Sequence, residues 1–249
     1  LQVPVYQFKE VEFDSEYANA LGKKLKLNGE AKLDPEGHKY YIKEGQKNLV
    51  LEKLTGKIIY FDESKQAMDP SYLSKNIPSD EDVIEIAKNF LTNLNLLPNN
   101  FKLVGVAPIT VTPGTDNPET VGAIIVAKKV FFYKQINNKD VLGVSRITVT
   151  VGSNGEIIGF GKHYKDAKEY AMYPIKTVNQ ALGEVKNNHA LTNIDEKAEK
   201  AKINKVEINY WEDPGAEQPY LQPVYVFIGE AKVGDRWEVF KSVIPAIKD

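Results

Sequence analysis

Three histidines, His38, His163 and His189, are the only imidazoles in 249 residues. None has a partner at the i, i+4 or His-Glu-x-x-His spacing that brings two metal ligands to one helix face. Each therefore reads as an exposed strand or helix-end residue. Carboxylates are more numerous. Glu212, Asp213 and Glu217 crowd a proline-bounded loop where oxygen ligands could gather around calcium, but the EF-hand spacing is absent and a solvated acidic loop is the simpler reading. Gly143-Val144-Ser145 lies in a strand pattern, not at the strand-to-helix elbow of a seryl hydrolase. No glycine-rich phosphate loop follows a strand. The chain has no cysteine, which excludes disulfides, thiolate metal sites and a cysteine nucleophile together. These residues point to no catalytic group, no metal ligand and no cofactor.

The aromatic residues carry the remaining signal. Trp211, Tyr220, Tyr225 and Trp237 lie on or beside the last strands, and rings with a polar tip are common anchors at protein interfaces. They are the candidate binding residues, with cross-strand core pairing as the competing reading. A formal net charge of −2 and scattered basic residues exclude an electrostatic footprint for nucleic acid. The longest apolar run, Val121 to Ala127, falls far short of the roughly 20 residues a membrane-spanning helix needs. Because the sequence starts at Leu1 rather than Met, a signal peptide or lipid anchor upstream, and with it a membrane tether, is an expectation.

The elements that must position these residues follow from periodicity. Val3 to Phe13 reads as an extended lead-in, and Asp14 to Lys24 as a short capped helix. His38 to Phe61 reads as three strands separated at Gly45 and Gly56. Ser79, with Asp82 three residues on, starts a helix to about Leu96 whose apolar stripe is Val83, Ile86, Ala87, Phe90, Leu91 and Leu94. Strands follow over Phe101 to Thr112 and Thr120 to Gln135. Lys129 to Tyr164 reads as three strands joined at Asn137-Asn138 and Ser153-Asn154-Gly155, with Thr148 and Thr150 opposite Ile147, Val149 and Val151. Thr177 and Gln180 have capping-box spacing for a third helix. Asp195 to Lys205 reads as a solvated connector, and the final strands fall near Ile203 to Trp211, Gln222 to Gly229 and Arg236 to Val243.

The chain also resembles itself. Leu51 to Phe61 and Val149 to Phe160 share a strand, a glycine turn, a charged residue, Ile-Ile and an aromatic. A proline, a capped helix and a strand follow each, and then come the matching loops Pro113 to Pro118 and Pro214 to Pro219. This order predicts an α+β fold of tandem two-layer units, each a helix packed on an antiparallel sheet of three or four strands. The units expected are an N-terminal helix-plus-meander unit at 1–70, a middle unit at 71–170 and a C-terminal unit at 171–249.

Val130 to Phe160, an aromatic-rich strand, a short turn, a strand, an Asn-Gly turn and a last strand, resembles the pattern of thermolysin-type propeptides and PepSY domains. Tyr220 to Ile247 is similar to the closing strands of PepSY-like domains and of the YycI and YycH accessory proteins of Gram-positive bacteria. The resemblance implies an extracytoplasmic, secreted or membrane-anchored, non-enzymatic protein of a bacterial envelope that regulates by binding a peptidase or a membrane sensor kinase. Two other classes stay open. One is a hydrolase or metal-dependent enzyme with a site assembled from distant carboxylates and His163. The other is a structural or adhesive envelope module.

Overall fold

A computed structural model describes residues 1–65, 76–112, 123–215 and 217–248. Helices begin where the sequence supplies caps. The Asp14 carboxylate accepts the Tyr17 N–H at 2.7 Å ahead of α1, Ser15–Lys24. Ser79 Oγ accepts the Asp82 N–H at 3.1 Å ahead of α2, Asp80–Leu94, and Thr177 with Gln180 closes a reciprocal capping box ahead of α3, Val178–Lys186. These bonds satisfy N–H groups that have no partner within the first helical turn. Among the described residues no helix is long and apolar enough to cross a membrane.

Strand nevertheless dominates. Among the described residues fifteen strands of mixed sheet make up 52% of the structure and three helices 18%, so the expected tandem of helices on separate three- or four-stranded sheets is overturned. The chain folds into two compact units, one formed by Glu10–Gln135 and Val144–Lys165, the other by Leu1–Lys9, Ile136–Gly143 and Asp166–Asp249.

The larger unit contains β2 (Lys32–Leu33), β3 (Lys39–Glu44), β4 (Lys47–Glu52), β5 (Ile58–Asp62), β6 (Phe101–Val111), β7 (Ile124–Ile136), β9 (Arg146–Val151) and β10 (Ile157–His163). They form an antiparallel sheet in the order β6-β7-β9-β10-β5-β4-β3-β2. The pairing of β5 with β10, Tyr60 opposite Phe160 and Ile59 opposite Gly161, is what joins two groups of strands expected to stand apart. The two strands are the Ile-Ile-containing halves of the internal match. One sheet face receives both helices: Ala18 and Leu21 from α1, and Val83, Ala87 and Leu91 from α2, share a core with Leu49, Ile58, Phe132, Ile147 and Val149. Lys162 is buried on this side, its ammonium donating to Gly56 O at 2.9 Å and Tyr164 O at 2.8 Å and lying 3.8 Å from the Tyr164 ring centre. Carbonyls and a π face thus replace the water lost on burial.

The smaller unit contains β1 (Gln2–Phe8), β8 (Lys139–Gly143), β11 (Ala167–Pro174), β12 (Leu191–Thr192), β13 (Lys200–Glu212), β14 (Tyr220–Val233) and β15 (Arg236–Pro245). Its order is β11-β1-β14-β13-β8, with β15 along the rest of β14 and β12 on β15. The β13–β8 pair is parallel. Residues 139–151, expected as one strand, are therefore two: β8 belongs to this unit and β9 to the other. The break falls at Gly143, whose φ of +83° lies in the left-handed region. The expected connector at Asp195 to Lys205 is partly strand, since β13 begins at Lys200. Helix α3 packs Ala181 against Tyr225, Phe227 and Ile244 on one face of the sheet. The Pro113 to Pro118 loop of the internal match lies outside the described residues, as does Ala216 in its counterpart.

Candidate functional site

Alternation along β10 decides the larger unit's open face. Phe160 meets Phe90 of α2, ring centres 5.4 Å apart, and Lys162 is buried on the same side. Gly159, Gly161 and His163 must therefore point away from the helices. In register beside them stand Thr150, Thr148 and Arg146 of β9, and Phe61 and Ile59 of β5. Two glycines in adjacent outward positions leave a trench in the sheet surface, because neither has a side chain of its own, and the His163 imidazole leans into it over Gly161, its Nε2 2.5 Å from where a Cβ would stand. The trench opens into a groove of about 450 Å³ walled by Ile59 and Phe61 on one side and Ile109, Val111 and Val126 on the other. Thr148 and Thr150 supply hydroxyls to its floor, and Lys129 and His163 also line it.

The electrostatics are one-sided. Burial, then the charges of Lys57 and Arg146, hold the His163 pKa down to about 4, with Glu52 opposing weakly. The imidazole is accordingly neutral near pH 7. Lys129 and Arg146 have no carboxylate within salt-bridge distance among the described residues. An apolar trench with cations unpaired among the described residues at both ends of its β9 segment is built for contact with apolar groups carrying some negative charge.

The depressed His163 pKa has a measurable consequence. The unfolded chain takes up a proton near pH 6.5 and the folded one only near pH 4, so stability present above pH 6.5 is lost as pH falls through this window. After allowance for the partly exposed ring, the loss should be of order 1–2 kcal/mol. Urea midpoints measured from about pH 7.5 to 4 should show this slope in the native chain and a flatter one in His163→Gln.

The aromatic candidates scatter. Tyr225 is 3% exposed, packs on Phe227 and donates its hydroxyl to Lys176 O at 2.7 Å, so it is a core anchor and not a contact residue. Tyr220 is half-buried and lies 5.0 Å from the Tyr170 ring on β11. Trp237 is 53% exposed on β15. Trp211 is half-buried on β13 with its indole N–H bound to Asp213. No single surface collects the four. Nor do the acidic candidates form a cluster: Glu212 is 1% exposed, whereas Asp213 and Glu217 face solvent. Among the described residues no group of three or more His, Asp or Glu is placed to hold a metal ion. His38 and His189 are not near His163 in the sheet register: His38 precedes β3 and His189 follows α3.

Gly159, Gly161, Thr148, Thr150 and Lys129 were not candidates from the sequence. A Gly-aromatic-Gly run inside a strand is a signal for one bare face, but its meaning depends on β5 lying alongside.

No family model and no curated protein matches the chain. Among solved structures it is similar to an uncharacterized protein from Eubacterium rectale, with a TM-score of 0.54, 9% identity, and coverage of 98% of this chain and 82% of that one. At that identity the likeness concerns the fold alone.

Proposed function

We infer that this is a non-catalytic binding protein of a bacterial envelope, acting outside the cytoplasm, whose glycine-floored groove receives an extended apolar segment of a protein partner such as a membrane sensor or a peptidase. The observation that carries the reading is the trench at Gly159 and Gly161, walled by Ile59 and Phe61 and flanked by Lys129 and Arg146. Apolar walls favour apolar side chains, and the Lys129 and Arg146 cations favour an acidic residue beside them. The resemblance of Val130 to Phe160 and Tyr220 to Ile247 to PepSY-like strands points to the same class of partner. Face binding is favoured over strand addition on this sheet, because the edge strand β6 carries Pro108 and two register shifts that disturb a ladder.

Selection of random peptides of about 12 residues on the purified protein tests this reading. Enriched peptides should combine apolar residues with Asp or Glu, and should bind less tightly as salt rises. Gly161→Val should lower their affinity by about tenfold or more by filling the trench. The atoms nearest a Cβ at this position are side-chain ends that can move, the His163 ring at 2.5 and 3.0 Å and the Thr148 hydroxyl at 3.3 Å, so His163 gives way before the backbone does. Peptides that bind Gly161→Val as tightly as the native chain, or no enrichment at all, would overturn the assignment.

A further inference from the structure

A second concavity, in the smaller unit, is chemically unlike the groove. It lies on the sheet face opposite α3, where Trp211 and Gln222 are register partners and Val224 stands beside Pro245. Leu191, Val224, Val243 and Pro245 give it an apolar base, while Trp211, Asp213, Gln222 and His189 supply aromatic and polar groups around a cleft of about 370 Å³. That volume is in the range of small-ligand pockets.

The indole is held in place before any ligand arrives. Trp211 Nε1 donates to Asp213 Oδ1 at 2.6 Å, the Asp213 N–H donates to Gln218 Oε1 at 2.8 Å, and Gln218 Nε2 donates to Trp211 O at 3.0 Å. This closed ring of bonds fixes the side chain of an aromatic residue that is not itself in the core. Prior fixing removes part of the ordering cost of binding. The side chains of Gln222 and His189 make no hydrogen bond among the described residues. An amide both donates and accepts, an imidazole offers two ring nitrogens to hydroxyl partners, and the second Asp213 oxygen accepts.

We propose that this cleft is a saccharide-binding site in which a pyranose ring stacks on the Trp211 indole and its hydroxyls bond to Asp213, Gln222 and His189. Three features select that ligand class. One flat ring offers a platform to the C–H face of a sugar, whereas a quaternary ammonium is held by a cage of several rings. Groups that both donate and accept suit hydroxyls, which do the same. Among the described residues no lysine or arginine lines the cleft, so a phosphate or carboxylate ligand would lack a counter-charge there. The site is separate from the peptide groove and does not rest on it.

The two tryptophans, Trp211 and Trp237, make the test direct. In a Trp237→Phe chain the emission reports Trp211 alone, and it is titrated with maltotetraose, cellotetraose and chitotriose. At least one should give a saturable change, confirmed by calorimetry on the native chain. Gln222→Ala, at an exposed position, should weaken binding about tenfold, and Trp211→Ala should abolish it. Trp211→Phe, which keeps a ring but loses the bond to Asp213, should fall between, and Gly161→Val should bind as the native chain does. No response to any of the three sugars overturns the proposal. So does saturable binding of choline or a proline-rich peptide at Trp211 without sugar binding.

Discussion

Gly143→Ala should destabilise the smaller unit by about 3 kcal/mol or more, the sum of a left-handed backbone and a displaced strand pair. Gly143 has φ +83°, and a Cβ there would stand 2.1 Å from the carbonyl oxygen of Glu212, its register partner on β13. Relief requires either residue 143 to leave the left-handed region or β8 to move off β13. Moving β8 loosens the parallel pairing of Tyr210 with Val141 and Trp211 with Leu142, and disturbs the small core where Val141 meets Tyr6, Tyr210 and Leu221. Gly234→Ala separates the two contributions. Its φ is +59°, yet nothing lies within 4 Å of an added Cβ, so only the backbone cost remains, about 1 kcal/mol. With a urea m-value of 1–3 kcal/mol per molar, the Gly143 variant should lose about 1 M or more in midpoint and the Gly234 variant a fraction of that. Equal losses would show that the contact with Glu212 does not limit β8.

Gly143 also shows where the sequence stops being informative. Local chemistry was legible. Ser79 with Asp82 and Thr177 with Gln180 cap helices because a side chain reaches only three residues along its own chain. Asn137 and Asn138 make a tight turn in the left-handed region by the same local logic, and Thr148 and Thr150 face away from the core as alternation requires. What alternation lacks is the identity of the strand alongside. Gly143 reads as mid-strand because Val141, Leu142 and Val144 around it suit a strand, and only the parallel contact with Glu212 reveals a strand end.

The same limit governs the candidate site. Gly159 and Gly161 become a trench floor only when β5 places Ile59 and Phe61 next to them, a contact spanning about a hundred residues of chain. For Tyr225 the sequence leaves contact and core readings open, because residues 223–227 of β14 are buried on both faces, which erases the period-two contrast that would mark it as core. In the sequence Trp211 stands out only by its type and its place beside the last strands. Its hydrogen bonds to Asp213 and Gln218, which give it a defined surroundings, cross a proline loop whose geometry the pattern does not predict.

Facing is also what the pair Phe131 and Phe132 tests most sharply. Phe132 is 1% exposed, pairs with Ile147 and belongs to the core shared by α1 and α2. Truncation to alanine removes a ring from close-packed surroundings that relax only in part, and should cost about 3–5 kcal/mol. Phe131, one residue earlier, pairs with Thr148 and points to the open face, where it is half-buried. Phe131→Ala leaves no enclosed cavity, so its cost should be about 1 kcal/mol. The order should reverse in peptide binding. Phe131 extends the apolar face beside Thr148, so its loss should weaken the selected peptides several-fold, whereas Phe132→Ala measured below its unfolding transition should bind them as the native chain does. Comparable destabilisation by both variants would mean that β7 does not present these faces, and the groove built on its neighbour β9 would then lose its geometric basis.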